Sequence, residues 1–259
     1  MLTKIEIDVM STLNQKDTFT IVIPNYNEES AISRVVQRVL LAAEEIKKTA
    51  GFKKVEIIVV DDGSTDQSLA ALQKFHNEIT IVKLDKNQGY GGALKAGFFK
   101  STGELVAFLD MDCTYDPLDL IKMLNLLIVG QFDFVSGDRL SQLSHMPISR
   151  RIGNIFFVLM IKVLFKRQVN DACSGIRIFR ASYISFICKH LPDDLSLALG
   201  MTLYALCSKK PFTEIPVSYA NRIGESKLKL VKDGFRFYWL IVKFWWQKDR
   251  WNQLNLHGN

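Results

Sequence analysis

The stretch VEIIVVDDGSTD at residues 55–66 decides the fold class of this chain. Residues 55–60 form an apolar, mostly β-branched run, which is typical of a parallel strand covered on both faces. Two acids, Asp61 and Asp62, follow directly, and Gly63 then permits a tight turn. Ser64 or Thr65 can cap a helix that begins beside them. The stretch therefore predicts a strand, a polar turn and a helix, which is one unit of a doubly wound sheet.

The same alternation continues on both sides of this stretch. Apolar runs predict further strands at residues 19–23, 79–84, 105–109, 132–136 and 213–219. Helical patterns are predicted at residues 32–43, 66–76, 91–100, 118–129, 149–165, 180–190, 195–208 and 228–246. We therefore predict an α/β fold, with a mostly parallel sheet flanked by helices and a basic, amphipathic C-terminal helix.

Polar clusters follow four of the predicted strands. They are PNYNEE at residues 24–29, DDGSTD at 61–66, DMD at 110–112 and SGDR at 136–139. In an open α/β sheet, ligands bind beyond the carboxyl ends of the strands. Asp110 and Asp112 would repel each other beside a buried strand, and Mg²⁺ or Mn²⁺ would relieve this while neutralising a leaving diphosphate. The alternative is an ordinary acidic turn, because a D-x-D pattern alone is a weak signal.

The other clusters supply candidate contacts to a nucleotide. Asp61 and Asp62 can accept hydrogen bonds from a base or from ribose hydroxyls, while Tyr26 can pack on the base. Glu28 can bind the nucleotide or begin the next helix. The run NQGYGGA at residues 87–93 does not have the spacing of a dinucleotide-binding fingerprint, so we expect no nicotinamide cofactor. We expect this run to approach the donor closely, with Lys95 facing its phosphates.

Four basic residues in the second half of the chain are candidate anion binders: Arg139, Arg177, Arg222 and Lys227. For Arg222 and Lys227, the alternative is an ordinary solvated loop.

Positive charge accompanies the most apolar segments. The net charge is +6; residues 150–167 contain five basic residues and no acid, and residues 222–250 contain eight basic residues and three acids. Such segments favour an anionic membrane surface, although a solvated helix face is the alternative. No recognition motif accompanies the charge, so no nucleic acid partner is expected. We expect neither a signal peptide nor a membrane span, and the four scattered cysteines favour a reducing compartment.

Taken together, the clusters resemble those of family-2 glycosyltransferases with the GT-A fold. The later pieces at residues 171–179, 214–217 and 222–228 are similar to the dolichol-phosphate mannosyltransferase and polyprenyl-phosphate glycosyltransferase branch. The resemblance implies a metal-dependent, inverting transfer of a mannose- or glucose-type sugar from a GDP- or UDP-sugar to a polyprenyl or dolichyl phosphate. Two alternatives stay open: transfer to a soluble or lipopolysaccharide sugar hydroxyl, and a nucleotide-sugar-binding relative without catalysis.

The resemblance also implies a role for individual residues. The nucleotide-sugar would be lined by Pro24, Tyr26, Glu28, Val60 and Asp62, with Asp110, Met111 and Asp112 at its diphosphate and metal. Arg139, Ser226 and Lys227 would join Arg222 in binding donor or acceptor phosphates, and Asp112 and Arg139 would be catalytic. Met111 stands where relatives usually carry alanine, so we expect its bulkier side chain to reshape the sugar pocket.

These inferences define a domain plan. We predict an N-terminal extension at residues 1–17, a GT-A domain at 18–227, and a membrane-facing amphipathic segment at 228–259. The protein is expected to be cytoplasmic and to associate peripherally with the cytoplasmic face of a membrane. The sequence specifies no oligomeric state.

Overall fold

The structure is a computed structural model that describes residues 18–140 and 144–253, apart from the side chains of residues 250, 252 and 253. The predicted extension at residues 1–17 lies outside the described residues, as do residues 254–259 of the predicted C-terminal segment.

Seven strands form one sheet within the described residues. The strands are β1 (Thr18–Asn25), β2 (Lys54–Asp61), β3 (Thr80–Lys83), β4 (Leu105–Phe108), β5 (Phe134–Asp138), β6 (Arg177–Arg180) and β7 (Phe212–Pro216). Their order in the sheet is β3-β2-β1-β4-β6-β5-β7. All neighbouring pairs are parallel except those that β6 forms with β4 and β5. The predicted mostly parallel α/β sheet is therefore confirmed.

Helices connect and cover these strands. They are α1 (Glu29–Ala50), α2 (Ser68–Gln73), α3 (Tyr90–Lys100), α4 (Asp119–Val129), α5 (Ile148–Phe165), α6 (Ile184–His190), α7 (Leu197–Cys207), α8 (Leu230–Trp246) and α9 (Lys248–Gln253), with a 3₁₀ turn at Ala181–Tyr183. Several predicted elements are shorter than expected; for example, α2 begins at Ser68 and ends at Gln73, α6 begins at Ile184, and β7 ends at Pro216.

Strand β6 was not predicted from the sequence. It has only four residues, and Arg177 and Arg180 at its ends hide its two apolar positions from a pattern search. It pairs antiparallel between β4 and β5, so two strands that follow each other in the sequence are not neighbours in the sheet. The insertion brings the loop before β6 to the edge where β4 ends.

The strands bury side chains on both faces of the sheet. In β2, Ile57 and Val59 pack in the hydrophobic cluster that includes α1 and α4, whereas Ile58 and Val60 pack in the cluster that includes α3, α7 and α8. This alternation follows the two-residue repeat of a strand. Helix α3 packs closely on the second face, because a Cβ on Gly97 would lie 2.3 Å from a methyl carbon of Val22.

Helices α5 and α8 pack against each other and expose a continuous series of apolar side chains. Their inner faces meet where Phe157 and Phe237 lie 5.5 Å apart between ring centroids. Exposed apolar residues, which we call the α5–α8 surface, are Ile148, Ile152, Ile155, Phe156, Leu159, Val163, Leu230, Val231, Phe235, Tyr238, Trp239 and Trp246. Among the described helices, none has the length and apolar character required to cross a bilayer.

Candidate functional site

The carboxyl ends of β1, β2, β4 and β5 open into one cavity of about 510 Å³. Most of the residues predicted for a site line it: Pro24, Tyr26, Glu28, Asp62, Asp110, Met111, Asp112, Arg139, Arg222, Ser226 and Lys227. Parallel strands therefore deliver side chains that are distant in sequence to one rim, as expected for an open α/β sheet. The cavity also extends between the first turns of α5 and α8.

Four of the predicted residues do not line this cavity; they are Val60, Asp61, Lys95 and Arg177. Val60 is fully buried in the core beside α3. Asp61 is 1% exposed and accepts a hydrogen bond from Asn25 Nδ2 at 2.8 Å, which fixes the end of β1 against the end of β2. The ammonium of Lys95 lies 2.6 Å from Asp193 and donates to the carbonyl of Leu191. The expected position of Lys95 facing phosphate is therefore wrong for this arrangement.

Asp62 organises the glycine-containing run at residues 87–93. Its carboxylate accepts hydrogen bonds from the backbone N–H of Gln88 at 2.6 Å and of Gly89 at 3.0 Å. Burial raises the pKa of Asp62 above its ordinary value, while these two hydrogen bonds oppose the rise. Asp62 therefore holds the segment that leads into α3 at the cavity wall.

The glycines of this run also allow a close contact within the protein. Cβ atoms on Gly89 and Gly91 would lie 2.7 Å and 2.6 Å from backbone carbonyl oxygens of Asp193 and Pro192. Gly89 also has φ of +89°, a conformation that side chains other than glycine rarely adopt. The start of α3 thus approaches the loop before α7 closely. Gly89 also lines the cavity, so the predicted approach of this run to a donor stays a prediction.

Asp110 and Asp112 lie at the cavity floor just after β4. Asp110 accepts a hydrogen bond from the hydroxyl of Tyr90 at 2.7 Å. Burial raises the pKa of Asp110 to about 7, and repulsion from Asp112 adds to the rise. A Cβ on Gly175 would lie only 2.3 Å from Oδ2 of Asp110, so the loop before β6 presses on this carboxylate. Tyr90 and Gly175 lie in the runs at residues 87–93 and 171–179 that are recognisable in the sequence, but only the fold brings them to Asp110.

Asp112 is 4% exposed and is held on both oxygens. Oδ1 accepts hydrogen bonds from the backbone and hydroxyl of Thr114, at 3.1 Å and 2.5 Å, and Oδ2 accepts one from Arg222 at 2.9 Å. Met111 between the two acids is 2% exposed and packs in the hydrophobic cluster on the α1 side of the sheet. Its predicted effect on the sugar pocket stays a prediction.

Arg222 joins the loop before α8 to the rim of the sheet. Its guanidinium forms ion pairs with both Asp112 and Glu28. Burial raises the pKa of Glu28 to about 7, although Arg222 and Lys227 oppose this. A Cβ on Gly224, which has φ of +84°, would lie 2.8 Å from Oε2 of Glu28, so the loop approaches this side chain closely.

Lys227 and Ser226 continue the same loop. The ammonium of Lys227 donates to the carbonyl of Asn27 at 3.3 Å and lies 5.9 Å from the centroid of the Tyr26 ring. Ser226 accepts a hydrogen bond from the backbone N–H of Leu228 at 3.2 Å. The loop therefore covers the side of the cavity on which Tyr26 lies.

Arg139 is fixed by a buried network on the opposite side. Its Nε and Nη2 atoms donate to Asp171 at 2.6 Å and 2.8 Å, and its guanidinium lies 5.3 Å from the centroid of the Tyr219 ring. Asn154 of α5 donates to the same carboxylate at 2.6 Å. Burial alone would raise the pKa of Asp171, but Arg139 and these hydrogen bonds hold it below its ordinary value.

Arg177 differs from the other basic candidates. It is 3% exposed and donates to the backbone carbonyls of Ser174 and Ala172 and to the hydroxyl of Thr202. These contacts occupy the guanidinium inside the protein, and the residue does not line the cavity. The prediction that Arg177 binds an anion is therefore wrong, because its strand position directs it into the core.

Comparison with known proteins identifies related chains. The model of Glycosyl transferase family 2 matches residues 20–187. A low-salt glycan biosynthesis hexosyltransferase, Agl6, from Haloferax volcanii is 30% identical over 85% of this chain and 52% of its own length. A dolichyl-phosphate hexose transferase from the same organism is 30% identical over 88% of this chain and 93% of its own length. An undecaprenyl-phosphate 4-deoxy-4-formamido-L-arabinose transferase from Sodalis glossinidius is 28% identical, over 86% and 66% respectively.

The chain thus spans about half the length of the first of these relatives and nearly all of the second. Among solved structures, glucosyl-3-phosphoglycerate synthase from Mycobacterium tuberculosis, in complex with Mn²⁺, UDP-glucose and phosphoglyceric acid, superposes with a TM-score of 0.70. That alignment covers 95% of this chain and 84% of the synthase at 16% identity, so it shows a shared fold.

Proposed function

The chain belongs to glycosyl transferase family 2, and we propose that it transfers a hexose-type sugar from a GDP- or UDP-sugar to the phosphate of a polyprenyl or dolichyl lipid. One observation carries this proposal. Asp110 and Asp112 share a single cavity with nucleotide-binding candidates on one side and with Arg139 on the other, and that cavity continues between two helices with exposed apolar faces. The relatives whose names specify polyprenyl or dolichyl phosphate acceptors support the same acceptor class.

The donor nucleotide fits the side of the cavity formed by β1 and β2. Buried oxygen atoms of Asn25 and Glu28 have no hydrogen-bond partner within the described residues, and both side chains line the cavity. Such acceptors suit ribose hydroxyls or base N–H groups, because a buried polar atom without a partner is costly. Tyr26 lies at the same wall and can pack on the base.

A divalent cation, Mg²⁺ or Mn²⁺, fits the floor of the cavity. Asp110 and Asp112 supply two carboxylates at this floor, and burial together with repulsion from Asp112 raises the pKa of Asp110. Within the described residues no group of three or more potential ligands forms a closed metal site. Two carboxylates are the usual protein share when phosphates and water complete the shell. When bound, the cation would act as a Lewis acid towards the leaving diphosphate.

The basic side chains would position the reacting groups. Arg222 and Lys227 lie on the loop that covers the donor side, where they would bind the diphosphate, and Arg139 is held by Asp171 where an acceptor phosphate would lie. A lipid phosphate is already an anion at neutral pH and needs little help from a general base. Catalysis would then consist mostly of orientation and charge stabilisation, with inversion at the sugar carbon.

Transfer to a sugar hydroxyl is the less favoured candidate. That reaction needs a general base, and Asp171, the carboxylate that holds Arg139, is the candidate for it. The side chain of Asp171 is fully buried, and both of its oxygens accept hydrogen bonds from Arg139. It therefore suits the positioning of Arg139 better than proton abstraction.

The proposal is tested by incubating the protein and Mn²⁺ with radiolabelled GDP- and UDP-sugars and a polyprenyl phosphate. We expect label in the organic phase with at least one donor, and none when the cation is chelated. Absence of product with every donor would contradict the proposal. Metal-dependent nucleotide binding without turnover would instead indicate a non-catalytic relative.

Peripheral membrane binding through the α5–α8 surface is part of the proposal, with the cytoplasmic face as the expected side. Replacing Phe235, which is 64% exposed on this surface, by serine should weaken binding to vesicles that contain phosphatidylglycerol by about tenfold. The corresponding loss of binding free energy is smaller than the free energy that full burial of a phenylalanine side chain contributes. Replacing Leu41, which is 68% exposed on α1, by serine is the matched control. Equal vesicle binding by the two variants, measured by co-sedimentation, would refute this docking surface.

A further inference from the structure

Glu214 joins the middle of β7 to the loop before β6. Its Oε2 atom accepts a hydrogen bond from the backbone N–H of Asn170 at 2.6 Å, and its Oε1 atom accepts one from the backbone N–H of Asp171 at 2.9 Å. Strand β7 pairs with β5, where Glu214 lies opposite Ser136. The carboxylate therefore fixes this loop to the part of the sheet from which Arg139 extends.

The surroundings of Glu214 disfavour its negative charge. Burial raises the pKa of Glu214 to about 7, and the carboxylates of Asp171 and Asp138 add to the rise, while the two backbone hydrogen bonds oppose it. A neutral residue would avoid this repulsion, but the amide of glutamine offers one acceptor oxygen where the carboxylate offers two. The acid at this position is therefore suited to holding two successive N–H groups of the loop at once.

The loop that Glu214 holds supplies the carboxylate that orients Arg139. Asp171 accepts hydrogen bonds from the backbone N–H, Nε and Nη2 of Arg139, and Asn154 of α5 donates to the same carboxylate. Arg139 lines the cavity, whereas Asp171 and Glu214 do not. Glu214 thus acts on the cavity only through other residues: it fixes the backbone of Asp171, and the side chain of Asp171 fixes the guanidinium.

We propose that Glu214 is a positioning residue for sugar transfer, which sets the direction in which Arg139 presents its guanidinium by fixing the backbone of Asp171. This inference rests on the proposed function, in which Arg139 binds the acceptor phosphate. Recognition of phosphate by a guanidinium depends on the plane and direction of its N–H groups, because the planar group donates through a fixed fork. A small shift of the loop would therefore weaken the contact of Arg139 with phosphate.

The variant Glu214→Gln tests this role, because it keeps the size of the side chain and removes one acceptor oxygen. We expect the KM for polyprenyl phosphate to rise about tenfold, which is the lower end of what supporting hydrogen bonds behind a binding group contribute. The KM for the nucleotide-sugar should stay within about twofold of wild type. Glu56→Gln is the matched control: Glu56 is also partly buried and accepts from the backbone N–H of Thr102 at 3.0 Å, but it does not line the cavity and lies near the start of β2. Thermal melting checks that both variants fold.

A double variant shows whether Glu214 acts through Arg139. In an Arg139→Met background, Glu214→Gln should cause no further rise in the KM for polyprenyl phosphate, because the guanidinium that it positions is already absent. A second tenfold rise in that background would overturn the inference, as would an equal rise in the KM values of donor and acceptor in the single variant.

Hydrogen exchange of the Arg139 Nε proton, followed by NMR, separates this inference from the proposed function because it needs no substrate. The signal is identified by its loss in Arg139→Met. In wild type, Nε donates to Asp171 at 2.6 Å, so its proton should exchange slowly. We expect exchange to be about fivefold faster in Glu214→Gln, as for the loss of about one hydrogen bond, and unchanged in Glu56→Gln.

The two measurements together decide the outcome. If wild type forms product but Glu214→Gln keeps its acceptor KM and its rate of Nε exchange, the positioning role is overturned. If wild type forms no product and Glu214→Gln still accelerates the exchange, Glu214 positions Arg139 while the proposed function fails. If Glu56→Gln accelerates the exchange as much as Glu214→Gln does, the effect is a general loosening of the sheet and the positioning role fails.

Discussion

Replacing Asp112 by alanine is expected to lower the rate of sugar transfer by about 10²- to 10³-fold, the size of effect seen when one group that stabilises charge in a transition state is removed. Asp112 is buried, and its two oxygens hold Thr114 on one side and Arg222 on the other. The substitution removes a carboxylate from the proposed cation site and also releases Arg222 from the cavity floor. Both changes act on the leaving diphosphate.

The measurement is the initial rate of transfer to polyprenyl phosphate, together with calorimetry of nucleotide binding with and without Mn²⁺. The affinity that depends on Mn²⁺ should disappear in the variant, because one of two carboxylate ligands is lost. Asp85→Ala is the matched control, since Asp85 is an exposed acid that does not line the cavity. A variant at Asp112 that keeps metal-dependent nucleotide affinity would show that the cation is not held there.

Replacing Asp171 by alanine is expected to reduce the free energy of unfolding by about 3–5 kcal/mol, the usual cost of removing one partner from a buried ion pair. The side chain of Asp171 is fully buried, and Arg139 beside it is 11% exposed. Alanine would leave this guanidinium without its carboxylate and would leave the amide of Asn154 without its acceptor. The predicted loss is therefore independent of any substrate.

Urea unfolding followed by fluorescence measures this change. Asp116→Ala is the control for an ion pair near the surface, because Asp116 contacts Arg38 at 3.1 Å and both side chains are about one-third exposed. Loss of that pair should cost no more than about 1 kcal/mol. The double variant Asp171→Ala, Arg139→Met should recover part of the stability, since it removes the uncompensated charge. If Asp171→Ala were no more damaging than Asp116→Ala, the network would not be important for stability.

Local sequence patterns were sufficient to predict much of the sheet. Continuous β-branched runs such as residues 55–60 mark strands buried on both faces, and the structure places β2 at Lys54–Asp61. Polar clusters directly after such runs predicted the shared rim, because parallel strands end on the same edge of a sheet. Eleven of the fifteen predicted site residues line the cavity. Eight of them lie at or just after strand ends for this reason, and the other three, Arg222, Ser226 and Lys227, lie on the loop before α8.

Contacts that depend on the direction in which a side chain points could not be predicted from the sequence. Lys95 was expected to face phosphate, but its helix turns it towards Asp193, almost one hundred residues away in the chain. Arg177 was predicted to bind an anion, but its position in β6 directs its side chain into the core. Tyr90 lies in the run at residues 87–93 that was expected to approach the donor, but its hydrogen bond to Asp110 arises only from the fold.

The sequence by itself thus determined the α/β class, the family and the chemical types gathered at the rim, because these depend on local periodicity and on where polar residues follow strands. Only the tertiary structure decided how those residues act together. The antiparallel insertion of β6 brings Gly175 against Asp110, and Asp171 reaches Arg139 across a stretch of 32 residues. Such pairings arise from packing between distant segments, and local patterns carry no information about which segments will meet.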